Sequence, residues 1–183
     1  MIDELLAEAS AKMDQAVAHA QSEFATIRTG RANPALLQRV TVDYYGAPTP
    51  LLQLASISVP EAQLLVVHPF DPGSVSAVEK ALQAAGLGLN PSNDGTVIRL
   101  SFPPLTEERR KELIRVVRNM VEEGRVAVRN VRRHSKGEME ALEGEVSDDD
   151  IHRGEARLQE VTDQHIARLD DLLAHKEAEL LEV

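Results

Sequence analysis

Residues Pro103 to Leu142 read PPLTEERRKELIRVVRNMVEEGRVAVRNVRRHSKGEMEAL, and two periodic patterns run through them together. Leu113, Val117, Met120, Gly124, Val128, Val131 and Met139 recur at helical steps, which gives a continuous apolar seam. Lys111, Arg115, Arg118, Arg125, Arg129, Arg132, Arg133 and Lys136 step by 3, 4 and 7, which gives a basic stripe along one side of the same helix. Thr106 is a suitable N-cap, and Glu107 and Glu108 suit the positive end of a helix dipole. Pro103-Pro104 ends whatever precedes. The stripe sits two residues back from the seam, so it is expected on the opposite, solvent-facing side.

Glu107–Lys136 holds ten of the chain's 20 Lys and Arg against five acids, a balance of +5, while the whole chain carries −10. A charge run on a helix is ordinarily a solvated face laced with i,i+4 ion pairs. Here the segment Arg125–Lys136 contains no acid at all beside its five Arg and Lys and His134. Like charge left unpaired costs stability, so the stripe reads better as a surface for an anionic partner, with nucleic acid the first candidate. A helical adaptor that binds an acidic protein or structured RNA is the alternative that the stripe also fits.

Before this helix the period differs. Ile2, Leu5, Leu6, Ala9, Met13, Ala16, Val17, Ala20, Phe24 and Ile27 mark a first amphipathic helix, expected to stop at Gly30 before Pro34. From Val40 to Phe102 the period is 2. Strands are expected at Val40–Tyr44, Ile57–Val59, Leu64–Val67 (a buried strand) and Ile98–Phe102, with turns at Gly46-Ala-Pro48 and Asn93-Asp94-Gly95. Val75, Val78, Leu82 and Ala85 mark one short helix. After Gly144, Ser147 caps a third long helix opened by Asp148, Asp149 and Asp150, with Ile151, Leu158, Val161, His165, Leu169, Leu172, Lys176 and Leu180 near its seam.

Three long amphipathic helices bury their seams most simply on one another. The expected fold is therefore α+β: an antiparallel three-helix bundle made of 1–29 and 105–183, with a small, mostly β domain, 30–104, inserted between the first and second helices. The chain crosses between the two at Gly30-Arg31 and at Pro103-Pro104, which describes a hinge. Arg28 and Arg110 lie beside these crossings and are open to an ion-pair role there.

Function classes fall away on composition. Without Cys there are no disulfides, thiolate ligands or Cys nucleophiles. Three Phe, two Tyr and no Trp leave little for base stacking, so any RNA contact is expected through Arg and Lys to phosphate. No phosphate-binding glycine loop, metalloprotease helix or nucleophile elbow occurs, and the six His are scattered without ligand spacing. No enzymatic activity, cofactor, metal or small-molecule substrate is expected. No apolar run reaches the ~20 residues of a membrane span, and the acidic start is unlike a signal or transit peptide; a cytoplasmic monomer is expected.

The segments Ile27-Arg-Thr-Gly-Arg-Ala-Asn-Pro34, Val42-Asp-Tyr-Tyr-Gly46, Gln53-Leu-Ala-Ser-Ile57, Asn90-Pro-Ser-Asn-Asp-Gly95, Pro104-Leu-Thr-Glu-Glu-Arg-Arg-Lys-Glu-Leu113, Val128-Arg-Asn-Val-Arg-Arg133 and His175-Lys-Glu-Ala-Glu-Leu180 resemble those of the bacterial ribosome recycling factor family, in order and over the whole chain. The resemblance implies an L-shaped molecule that binds the post-termination ribosome across the tRNA sites of the large subunit. With elongation factor G and GTP, it would promote subunit separation and release from mRNA. It also implies rRNA contacts at Arg129, Arg132 and Arg133, with Arg110, Arg125, Arg28 and Arg31 as further matches, Arg132 foremost. Gly30, Arg31, Pro103 and Pro104 would form the hinge. Gly137–Val146 departs from the family pattern in being more acidic, and the overall net charge is lower than in many relatives, so weaker and more salt-sensitive binding is expected.

Overall fold

The structure is a computed structural model that describes residues 1–182; Val183, the last residue of the expected bundle domain, lies outside the described residues. In chain order the elements are α1 (Ile2–Ala25), β1 (Thr41–Tyr44), β2 (Ala47–Pro50), α2 (Leu51–Leu54), β3 (Ala55–Glu61), β4 (Leu64–Pro69), α3 (Val75–Ala84), β5 (Pro91–Asn93), β6 (Ile98–Ser101), α4 (Glu107–Glu140) and α5 (Asp148–Leu181). They fall into two compact units, Met1–Arg28 with Glu107–Glu182, and Thr29–Thr106.

The first unit is α1, α4 and α5 packed on one another. Leu6, Ala9, Met13, Val17, Ala20 and Phe24 of α1 are buried, a stripe at steps of 3 and 4. α1 is shorter than its periodicity suggested. Thr26 N bonds back to Glu23 O and Ile27 N to Phe24 O, each 3.1 Å, and Thr26 Oγ1 also donates to Glu23 O. These tight i→i−3 bonds close the helix at Ala25, ahead of Gly30. Gly30 has φ +76°, and a Cβ there would lie 3.3 Å from Leu105 Cγ, so a left-handed turn rather than a helix cap uses the glycine.

The buried line of α4 is Leu113, Val117, Val121, Gly124, Val128, Ser135 and Met139; Met120 and Val131 lie only half-buried at its edge. On α5 the buried residues are Ile151, Gly154, Leu158, Thr162, His165, Leu169 and Leu180. The two glycines mark close approaches. A Cβ on Gly124 would stand 3.1 Å from Leu169 Cδ2, and one on Gly154 would stand 2.8 Å from Ile2 Cγ2. Buried polar groups are satisfied locally: Thr162 Oγ1 donates to Leu158 O at 2.7 Å. His165 Nδ1 lies 2.7 Å from Val161 O, and its Nε2 lies 3.1 Å from Asp14 Oδ1 on α1. His165 is thus a partnered core residue. Arg168 and then His165 hold the Asp14 carboxyl below the usual range. The turn before α5 ends at Ser147, whose Oγ accepts from Asp150 N at 3.2 Å. Asp150 in turn takes hydrogen bonds from Ser147 and Arg153, which lower its pKa.

In the second unit β1 and β2 form a hairpin with Tyr44 opposite Ala47, so Tyr45-Gly46 is the two-residue loop and Ala47 and Pro48 already belong to the strand. Both loop residues have positive φ, +50° and +84°, the geometry of a type I′ turn. The other strands form an antiparallel sheet in the order β3-β4-β6-β5. Leu65 pairs with Leu100 and Val67 with Ile98, and all four are buried. β4 therefore buries one face and leaves Leu64 and Val66 half-exposed; it is not the two-sided strand that its apolar run suggested. The same core takes in Val75, Val78 and Leu82 of α3 with Leu37, Val42 and Leu51.

The β5–β6 loop depends on one carboxylate. Asp94 accepts from Thr96 N and Val97 N, each at 2.9 Å, and from Arg99 Nη1 at 2.7 Å. These bonds bring its pKa down from 3.8 to about 2. A depressed folded-state pKa stabilises above the unfolded value and ceases to do so as pH falls through the folded one. The second unit should therefore lose stability between about pH 4 and about pH 2, and Asp94→Asn should flatten that limb. Acid titration of the two proteins by circular dichroism checks this; parallel acid limbs would remove Asp94 as its source.

Candidate nucleic-acid interface

Placing α4 at about 100° per residue explains where its cations go. The buried line occupies one arc of the helix. Arg132 and Arg125 border it, Lys111 and Arg129 lie further round, and Arg115 and Arg133 further still. The stripe thus starts beside the seam and spreads over about 100°. The expectation of a solvent-facing stripe roughly opposite the seam is corrected at two positions: Arg125 and Arg132 are half-buried against α5, while Lys111, Arg115, Arg118, Arg129, Arg133 and Lys136 are exposed.

The expectation of sparse ion pairing is corrected too. Some of the stripe's acids lie on α4 itself, at Glu107, Glu122 and Glu140, and the others lie across from it on α5. Arg118 Nε donates to Glu177 Oε1 at 2.5 Å. Arg125 Nη2 bonds Asp170 Oδ1 at 2.5 Å, and its Nη1 reaches Glu122 at 3.1 Å. Lys136 Nζ lies 3.6 Å from Glu155 Oε1 and 3.5 Å from Glu140 Oε1. Between these pairs, Arg132 Nη1 donates to Gln159 Oε1 at 2.8 Å. Because α4 and α5 are antiparallel, each step up α4 is matched by a step down α5, and the contacts form a ladder. Asp170 foremost holds the Arg125 guanidinium charged above its ordinary range. Arg125, then Arg129 at 3.1 Å, lower the Glu122 carboxyl.

The remaining sites separate. Arg133 and Arg115 are exposed, with no ion pair among the described residues. They lie eighteen residues apart, five turns and about 27 Å, on one line of α4. Arg110 is half-buried and eighteen residues from Val128, so it lies on the seam line rather than on the stripe. It is about 28 Å along α4 from Arg129. Arg28 is exposed just beyond α1, and Arg31 belongs to the second unit. The structure thus brings together Arg125, Arg129, Arg132 and Arg133, and leaves Arg110 apart from them. The α5 partners Gln159, Asp170 and Glu177 escape any reading of the stripe on one helix alone. The turn near Gly144 gives the antiparallel pairing that would have found them.

This face can present a short row of guanidinium groups to phosphate, held on a rigid helix. No group of His, Asp and Glu among the described residues could hold a metal ion, and no helix among them is long and apolar enough to cross a membrane.

A family model described as ribosome recycling factor matches residues 20–181. The chain belongs to the ribosome recycling factor family. It is 55% identical to the ribosome-recycling factor of Acidothermus cellulolyticus over 185 residues, covering all of both chains. It is 53% identical, with the same full coverage, to that of Saccharopolyspora erythraea. Among solved structures it resembles the solution structure of a ribosome recycling factor, at 44% identity and a TM-score of 0.76, over 100% of this chain and 98% of the other. It also resembles the T. thermophilus ribosome recycling factor in models with E. coli elongation factor G bound to the E. coli post-termination complex. That match has 45% identity and a TM-score of 0.63, over 99% of each chain. The likeness to ribosome recycling factors thus spans both units, the inserted β-rich unit as well as the three helices.

Proposed function

We propose that this chain is a ribosome recycling translation factor. It binds the post-termination ribosome across the tRNA sites of the large subunit and, with elongation factor G and GTP, separates the subunits and releases mRNA. It is not an enzyme; it acts by binding and by transmitting force. The observation that carries this reading is the full-length likeness to ribosome recycling factors, at 55% identity for one of them. The T. thermophilus relative, seen together with elongation factor G and the post-termination complex, supports the same partners.

In this reading Arg129, Arg132 and Arg133 anchor α4 on rRNA phosphates, with Arg28, Arg31, Arg110 and Arg125 contributing at the margins. Guanidinium groups spaced along one long helix match a phosphate backbone without needing aromatic stacking. Gly30, Arg31, Pro103 and Pro104, close to where the chain passes between its two units at Arg28–Thr29 and Thr106–Glu107, are the positions that bend. Light scattering from post-termination ribosomes tests the function. Adding this protein with elongation factor G and GTP should lower the scattering as subunits part, and omitting any one of the three should abolish the change. An unchanged signal with all three present would overturn the reading.

A further inference from the structure

The α4–α5 ladder is not uniform. Arg118, Arg125 and Lys136 each meet a carboxylate on α5, namely Glu177, Asp170 and Glu155. Arg132 alone meets a neutral amide, Gln159, at 2.8 Å. The orientation of that amide is fixed from its other side, because Gln159 Nε2 donates to Asp163 Oδ1 at 2.7 Å. A carboxylate accepts only, so it takes the NH₂ group and turns the amide oxygen toward the guanidinium. Arg132 is therefore held by a hydrogen bond that restricts its rotamers and leaves its charge uncompensated by that partner. Its neighbour Arg133 is exposed, with no ion pair among the described residues.

We propose that Gln159 is the positioning residue of the RNA contact: it orients Arg132 without neutralising it, while Glu155, Asp170 and Glu177 take up the charges of Lys136, Arg125 and Arg118 along the same ladder. The inference rests on the reading of α4 as the rRNA-binding face. An acid at 159 would convert the neutral rung into an ion pair like its neighbours. A phosphate would then have to compete with an intramolecular carboxylate for Arg132. Removing the side chain instead would leave the charge and lose only its orientation.

The test measures binding of the full chain to 70S ribosomes as a function of salt, for wild type, Arg132→Ala, Gln159→Glu and Gln159→Ala. Loss of one phosphate contact lowers the slope of log affinity against log salt by about 0.7–0.9 and weakens binding about tenfold near 0.1 M salt. Gln159→Glu is expected to show both effects, matching Arg132→Ala, with an unchanged melting temperature. Gln159→Ala is expected to bind more weakly at an undiminished slope, which a merely structural role for Gln159 would not distinguish from Gln159→Glu. Wild-type affinity and slope in Gln159→Glu, with Arg132→Ala impaired, would overturn the role of Gln159 and leave the binding face standing. Wild-type binding by Arg132→Ala would overturn both.

Discussion

Replacing Leu169 by alanine is expected to lower the stability of the three-helix unit by about 3–5 kcal/mol, toward the upper end for a buried leucine. Leu169 is fully buried, and its two δ-methyls lie where a Cβ on Gly124 would stand, at 3.1 and 3.3 Å, with Ala20 Cβ at 3.7 Å from the same point. The leucine therefore fills a space that a missing side chain on α4 creates, between three long helices packed on one another. The same geometry predicts strong coupling. Gly124→Ala gains about 1 kcal/mol of helix propensity but must displace methyls already in tight contact, so in the wild-type background it should gain nothing or destabilise. In Leu169→Ala the obstruction is gone, and Gly124→Ala should restore about 1 kcal/mol or more. Urea unfolding followed by far-UV circular dichroism on the four proteins closes the cycle. Additive effects would mean that the two residues do not share one cavity.

The helices were legible because their apolar residues keep a 3.6-residue period over many turns, and the insert because the period drops to 2 between Val40 and Phe102. Errors fell where neighbours decide. Val121 is buried and Met120 only half-buried because the seam must face both α1 and α5, which widens it beyond one line of residues. Gly154 on α5 is where Ile2 approaches, a contact that the pattern of α5 alone does not signal. Tyr45, with φ +50°, occupies a loop position that favours Asn or Gly, and its side-chain oxygen lies 3.3 Å from Asp71 Oδ2 beside Tyr44 at 3.0 Å. The basic stripe was visible at once, but its electrostatics were not. The α5 acids opposite Arg125 and Arg118 sit 45 and 59 residues away in the chain.

Those pairings set the second large effect. Arg133→Ala should weaken ribosome binding about tenfold near 0.1 M salt, lower the salt slope by about 0.7–0.9, and slow subunit splitting at limiting factor. Its stability should stay within ~0.5 kcal/mol of wild type, since the side chain is exposed and has no ion pair among the described residues. Arg125→Ala should do the reverse. Its side chain is 24% exposed and binds both Glu122 and Asp170, so its removal strips packing, leaves Asp170 without this cation and leaves Glu122 with Arg129. About 1 kcal/mol of stability should go, with a smaller change in ribosome affinity than Arg133→Ala produces. The two substitutions remove the same charge from the same helix only eight residues apart, so net charge cannot account for a difference between them. The crossed result, a large binding defect in Arg125→Ala at unchanged stability, would mean that the Asp170 pair opens on the ribosome. The free charge would then be set by the bound state and not by the ladder in the unbound protein. Thermal melting and salt-dependent ribosome binding, measured on both variants, decide between these outcomes, because only the ladder makes neighbouring arginines differ in both measurements and in opposite senses.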